Sequence, residues 1–333
     1  MTKNVPASHH ARFLEASFKI IHEHCLKIFV TYKLLFRGII INTPKIGHYF
    51  EYTALRFAET VINFIPRFLA LRLGAFVGQI ICFCGVYRKI VQKNFDHVGI
   101  WNHNQTKRII PELYRNIGRY ATDFLRNGAL PPWRVHDFHL VDEASARGKG
   151  TVVVLAHFGN WELLAAIFGS KVNNLNVIAK PMQNPLVERW LYKKRTGSSV
   201  KTIYTKNALR GMLDALRKNG ITAILIDQHM RAMGTPVLFL GKTASTVRTV
   251  AGLVRKTGST VMPVYALLDE NGSYDICISV AESPISEGSD EENIINMIQI
   301  QHNDIISQWI KEHPAHWFGW FHKRFKGYVD YNL

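Results

Sequence analysis

Val152-Val153-Val154-Leu155-Ala156-His157-Phe158-Gly159-Asn160-Trp161-Glu162 is the stretch that decides the fold, because an apolar β-branched run gives way to an imidazole and, five residues later, a carboxylate. Residues 152–156 leave no polar side for solvent. The run therefore predicts a strand buried on both faces, as in a parallel sheet covered by helices. His157 then lies at the carboxyl end of that strand, the edge where open α/β sheets bind ligands. Gly159 or Asn160 can start the next helix and place Glu162 in its first turn, from which the carboxylate can fold back toward the imidazole. Neutral imidazole titrates near about 6.5, and a hydrogen-bonded carboxylate fixes its tautomer and stabilises its cation. The spacing predicts a pair able to take a proton from an alcohol. The competing reading is a histidine satisfied in the core, next to a carboxylate favoured only by the helix dipole. No H-E-x-x-H and no second His or Cys at ligand spacing adjoins the segment, so no metal and no cofactor are expected.

The 333 residues, 47% of them hydrophobic, suffice for one large α/β domain with additions. A formal charge of +16 predicts attraction to anionic partners: nucleic acid, acidic lipid head groups or an acidic carrier protein. The basic residues are scattered, and no zinc-finger, helix-turn-helix or RNP pattern accompanies them, so nucleic acid is not expected as a partner. The four cysteines show no framework spacing, which fits a reducing compartment, and the first ten residues lack a secretory pattern. The longest stretch free of Lys, Arg, Asp and Glu is 73–87, shorter than the roughly 20 apolar residues that span a bilayer. Residues 29–42 are apolar nearly all round except for Lys33 and Arg37, an i,i+4 pair. That pattern suits either an interfacial helix with snorkelling cations or a helix packed on the main domain.

From residue 11 to about 130 the texture is helical, with breaks near Pro44, Pro66, Gly85 and Pro131-Pro132. From 150 onward, short β-rich runs at 151–156, 176–179, 201–204, 221–226 and 259–268 alternate with helical segments, the pattern of β-α-β units. Leu209, Met212, Leu213 and Leu216 follow helical spacing over 208–218, with Gly220 as the stop. Residues 273–280 alternate and predict an antiparallel strand that closes the sheet, joined through Glu270-Asn271-Gly272 as a tight hairpin. Ser289 and Glu292 predict a capping box for a last helix with Ile294, Ile295, Ile298, Ile305, Ile306 and Trp309 on its apolar face, ended by Pro314. The expected class is α/β: a central, mostly parallel sheet flanked by helices, with a helical, membrane-associated N-terminal region. The expected division is 1–58 as that N-terminal region and 59–333 as the main domain, with a helical lead-in to about 149 and an α/β core over 150–333.

Motifs beyond the first stretch agree with a family. The His157 to Glu162 spacing resembles the H-x4-D/E signature of glycerolipid-type acyltransferases, and A-H-F-G-N-W-E is similar to that of the lipid A biosynthesis acyltransferases. Matching segments follow in order: Ile178-Ala179-Lys180-Pro181 with Asn184-Pro185-Leu186 and Arg195, Asp227-Gln228, Phe239-Leu240-Gly241 with Ala244-Ser245-Thr246, and Val261-Met262-Pro263-Val264. Trp320-Phe321-His322-Lys323-Arg324-Phe325-Lys326 resembles the family's closing W-x-H-R-R-F-K, and Arg88 with Asn94 extends the likeness to roughly residues 60–330.

The resemblance implies an O-acyltransferase that moves a fatty acyl chain from a thioester, on acyl-carrier protein or CoA, to a hydroxyl of an anionic glycolipid, a lipid A precursor. Its place would be the cytoplasmic face of the bacterial inner membrane, peripheral or N-terminally anchored. His157 would be the general base and Glu162 its orienting carboxylate. Lys180, Asn184, Arg189 and Arg195 fall between one strand and the next and are expected at the edge that carries His157. The family places the arginine matching Arg195 in a block that recognises phosphate or acyl donor, consistent with the bidentate fork of a guanidinium. Lys180 stands where relatives usually have arginine. Asp227 follows its strand as His157 does, and would position the acceptor or a cation, or cap a turn. Asn160 is expected among the substrate-binding residues, with Arg248, one turn into a helix starting near Ala244, and Arg324 as further contacts for anionic head groups. An acyltransferase of another bacterial glycolipid or aminolipid, and a noncatalytic lipid-binding protein of the same fold, are the alternatives.

Spacing dismisses two decoys. Gly241-Lys242-Thr243 has Pro236 where a phosphate-binding loop needs glycine, and no G-x-S-x-G supplies a serine nucleophile.

Overall fold

The computed structural model describes residues 44–332 except 198–199, 206–207, 231–233 and 282–289. The segment at 29–42 and the Ser289 half of the expected capping box lie outside the described residues. Four helices lead in: α1 (Pro44–Phe64), α2 (Arg67–Phe83), α3 (Arg88–Val98) and α4 (His103–Leu125). The boundary expected at residue 58 falls inside α1. Then come β1 (Trp133–His136) and α5 (His139–Ala146), followed by the alternating units β2 (Thr151–Leu155), α6 (Trp161–Lys171), β3 (Leu175–Ala179), α7 (Pro185–Thr196), β4 (Lys201–Tyr204), α8 (Ala208–Arg217) and β5 (Ile221–Leu225). A hairpin, β6 (Gly234–Phe239) and β7 (Lys242–Val247), precedes α9 (Thr249–Thr257), β8 (Thr260–Leu268), β9 (Tyr274–Ile278) and α10 (Glu291–Glu312). Two 3-10 turns, Pro314–His316 and Phe318–Phe321, follow.

Seven strands form one sheet in the order β1-β9-β8-β2-β5-β3-β4. Every neighbouring pair is parallel except β8 with β9. The expected strand at 273–280 is thus present and antiparallel, but it does not close the sheet, because β1 pairs along its outer side. Its connection is longer than a tight hairpin: Ser273 N donates to Asp269 Oδ1 (2.7 Å), and Gly272, with φ +79°, turns the chain.

All five residues of β2 are buried. Its side chains alternate between two layers, Val152 and Val154 toward Phe95, Leu113, Leu216, Val254 and Ile310, and Val153 and Leu155 toward Val141, Leu163, Ile167 and Phe168. The strand reads as unbroken apolar sequence because helices cover both of its faces. In α10, Ile294, Ile306 and Trp309 are buried, as the periodicity predicts.

Helices α2 and α4 meet at bare backbone. A Cβ on Gly74 would lie 2.5 Å from Gly118 O, and one on Gly118 only 1.9 Å from Gly74 O, so the two helices approach more closely than any side chain permits. Much of the rest of α2 is exposed and apolar, Phe68, Leu69, Phe76, Ile80 and Phe83 among the open side chains. Among the described residues no single helix is long and apolar enough to cross a membrane; α2 and α3 satisfy that test only together and are bent by 84°. The second of them is committed elsewhere, since Ile90, Val91, Phe95 and Val98 are buried in the core.

Candidate active site

The site begins with register. β2 and β5 are parallel neighbours with Leu155 opposite Leu225, so two residues further on His157 stands opposite Asp227 across one interstrand gap of about 4.8 Å. Asp227 Oδ1 is 2.8 Å from His157 Nδ1, and its Oδ2 accepts from the backbone N–H of His157 (2.9 Å) and from Trp317 Nε1 (2.7 Å). The carboxylate is buried. Burial raises its pKa, but the His157 charge and three donors outweigh that and bring it down to about 2. Burial also acts to lower the pKa of His157; the charge and hydrogen bond of Asp227, with Glu162 adding to them, overcome it and leave the imidazole above its usual value.

Glu162 does not take the place expected of it. The helix starts as predicted, with Asn160 capping it through Leu163 N (3.1 Å) and Glu162 in the first turn. Gly159, at φ +60° and with its Cα hydrogens against Ala266 O, makes the corner that no other residue could. The Trp161 ring lies edge-on to the imidazole at 5.0 Å. The Glu162 carboxylate instead grips Arg195 twice, Oε1 to Nη2 at 2.6 Å and Oε2 to Nε at 3.1 Å. Asp227, not Glu162, is therefore the carboxylate on Nδ1. The expectation misassigned it because a partner one strand away cannot be seen without the strand order.

Since the ionised Asp227 can only accept, Nδ1 of His157 carries the proton and Nε2 presents a lone pair. His322 is a ring neighbour at 6.0 Å, and Phe318 at 6.4 Å. Both also line an apolar cavity of about 680 Å³ that runs between α1, α2 and α4, along Phe57, Ile62, Val77, Ile117 and Leu125. An imidazole able to accept a proton at Nε2 thus stands next to residues that line an apolar cavity. A larger hollow of about 810 Å³ is lined by self-paired charges such as Arg119 with Glu112, and includes neither His157 nor its ring neighbours.

Residues 45–327 match the family model described as bacterial lipid A biosynthesis acyltransferase. The chain belongs to this family. None of the curated proteins compared with it matches. As a lipid A biosynthesis acyltransferase it is an acyl-transferring enzyme, and the apolar cavity beside a base fits that activity.

In this lipid A acyltransferase the remaining expected residues divide. Lys180 and Arg189 are exposed, Lys180 just beyond the carboxyl end of β3, two strands from β2. Asn184 is buried: it caps α7 through Leu186 N (3.0 Å) and donates to His48 O and Glu51, so it ties α7 to α1. Asn160 Nδ2 reaches Tyr274 Oη (3.0 Å), which donates to Asp123, the partner of Arg67. This chain of bonds fastens the site's helix to the helices around the cavity. Arg248 is not inside a helix from Ala244, which belongs to β7; it precedes α9 and bonds Thr235 and Glu292. Arg324 is wholly buried and holds Gln228 O (3.1 Å), Ser245 O (2.5 Å) and Thr246 Oγ1 (2.7 Å), an internal clamp out of reach of any head group. Burial lowers its pKa to about 10, with Asp227 opposing. Trp317 was missed altogether, because no spacing rule marks an indole as donor to a carboxylate ninety positions away.

Proposed function

We propose that this enzyme transfers a fatty acyl group from a thioester, on acyl-carrier protein or CoA, to a hydroxyl of a lipid A precursor, with His157 as general base and Asp227 as its orienting carboxylate. The observation that carries the reading is the 2.8 Å contact of Asp227 with Nδ1, which leaves Nε2 to accept, on a ring whose neighbours His322 and Phe318 line the apolar cavity. Nε2 takes the proton of the acceptor hydroxyl as its oxygen bonds to the thioester carbon. The carbonyl π pair moves to oxygen and returns as the C–S bond breaks, and the departing sulfur takes the proton from the imidazolium. No covalent enzyme intermediate is required, and general-base assistance is worth about 100-fold to 10,000-fold.

Glu162 adds negative charge beside the imidazole and fixes Arg195, whose guanidinium is suited to a phosphate of the acceptor or the carrier. The exposed aromatic and aliphatic faces of α1 and α2, Phe57 and Phe64 among them, are more apolar than a water-facing helix requires. They support docking on the cytoplasmic face of the bacterial inner membrane, peripherally or with help from the N-terminal residues, and the charge of +16 favours anionic lipid.

The test is incubation of the protein with an acyl-carrier-protein thioester and a purified lipid A precursor. Mass spectrometry should detect a product heavier by one acyl group, formed by the native chain and not by His157→Ala at the same folded concentration. Normal transfer by His157→Ala would remove the proposal.

A further inference from the structure

Gln228 directly follows Asp227, yet its side chain turns back over the site. Its Nε2 lies 3.3 Å from Nε2 of His157 and 3.5 Å from Nε2 of His322. With the proton of His157 on Nδ1, its Nε2 is an acceptor, so the carboxamide is the donor there, and its second N–H points to the second imidazole. Both partners are anchored through the main chain. Arg324 donates to Gln228 O, and Asn94 Nδ2 donates to His322 O at 2.9 Å. Gln228 is exposed while His322 lines the apolar cavity, so the amide stands where solvent, base and hydrocarbon slot meet.

We propose that Gln228 is a further catalytic residue, a hydrogen-bond donor to the carbonyl oxygen of the thioester, and that His322 positions it. The inference rests on the acyl-transfer reading above. A tail lying in the cavity must pass His322 to bring its carbonyl carbon to the base. When an acceptor hydroxyl docks on Nε2 of His157, it displaces the amide N–H that rested there and leaves that N–H beside the carbonyl oxygen. As the hydroxyl oxygen bonds to carbon and the π pair moves out, the N–H donates to the new anion; when the C–S bond breaks and C=O re-forms, it returns to the imidazole. The amide surrenders no proton. It offers a donor where charge develops, in a partly dry site, which is where such a bond has most effect.

The experiment compares Gln228→Ala, His322→Phe, His322→Gln and His157→Ala in the full chain, with acyl-carrier-protein thioester and lipid A precursor as substrates. Gln228→Ala should lower kcat on the order of 100-fold to 1,000-fold, with KM and thermal midpoint little changed. It should also move the acid limb of kcat/KM to higher pH, because the neutral imidazole loses a donor while Asp227, Glu162 and His322, the titratable groups facing it, stay in place. His322→Phe should lower kcat with KM held, and His322→Gln, which keeps an acceptor, should recover most of it. Gln228→Ala within about threefold of the native kcat, or a loss confined to KM or to thermal stability, would overturn the inference. If His157→Ala is inactive in that case, the acyl-transfer reading survives; if His157→Ala is active, both fall.

Discussion

His157 and Asp227 each come two residues after the last paired residue of a buried strand, and because those strands are parallel neighbours in register, the two side chains face each other. That one relation explains an imidazole shifted upward and a carboxylate shifted downward, each the principal charge partner of the other. A base must be unprotonated to accept the hydroxyl proton, so kcat/KM should fall about tenfold per pH unit below the pKa of His157 in the free enzyme. That limb should lie above the ordinary histidine value near about 6.5, and a pH profile of acyl transfer reads it directly. The strand, the histidine at its end and the helix cap at Asn160 were legible from residues 152–162, because local burial and capping dictate them. The partner was half legible. Asp227 could be placed on the same edge as His157 from its own strand, but adjacency depends on β5 sitting next to β2, and strand order is a property of long-range packing.

At the scale of elements, residues 317–324 hold the site together. Trp317 donates to Asp227, Asn94 holds Trp320 O (2.8 Å) and His322 O, and Arg324 gathers carbonyls from the loop after β5 and from the hairpin. Trp317→Phe keeps the ring and removes one donor from a buried carboxylate. It should cost about 1–3 kcal/mol of stability and raise the pKa of Asp227; a denaturant titration and carboxyl NMR check both. The alternating elements from 150 onward were readable because each carries its own periodicity. β1 was not: four residues, Trp133-Arg134-Val135-His136, give too short a pattern, and the strand exists because β9 pairs with it. The hairpin was hidden by Pro236, tolerated because β6 pairs only with β7, and by a two-residue turn built from Leu240 and Gly241, both at positive φ, instead of the usual Asn-Gly.

Over the whole molecule, burial acts most strongly on His302 and His316. His302 and His316 are both lowered to about 4, by burial first, with neighbouring cations contributing at His316. Each takes up its proton more readily unfolded than folded, so the stability it contributes is present above about pH 6.5 and is lost as pH falls toward 4. For each, the loss is on the order of 3 kcal/mol across that window. His157 has the opposite sign, but its stabilisation is already complete below the unfolded value and adds no slope there. Asp227 contributes until pH nears its ordinary range and then loses its share toward about 2. The thermal midpoint should therefore drop between pH 6.5 and 4, and His302→Leu should flatten that drop in calorimetry.

Which carboxylate serves His157 is decided by kcat for acyl transfer by Asp227→Asn beside Glu162→Gln. Asp227→Asn should lose on the order of 10,000-fold and Glu162→Gln far less, both with the fold retained by circular dichroism. A nearly native kcat for Asp227→Asn together with an inactive Glu162→Gln would contradict Asp227 as that carboxylate.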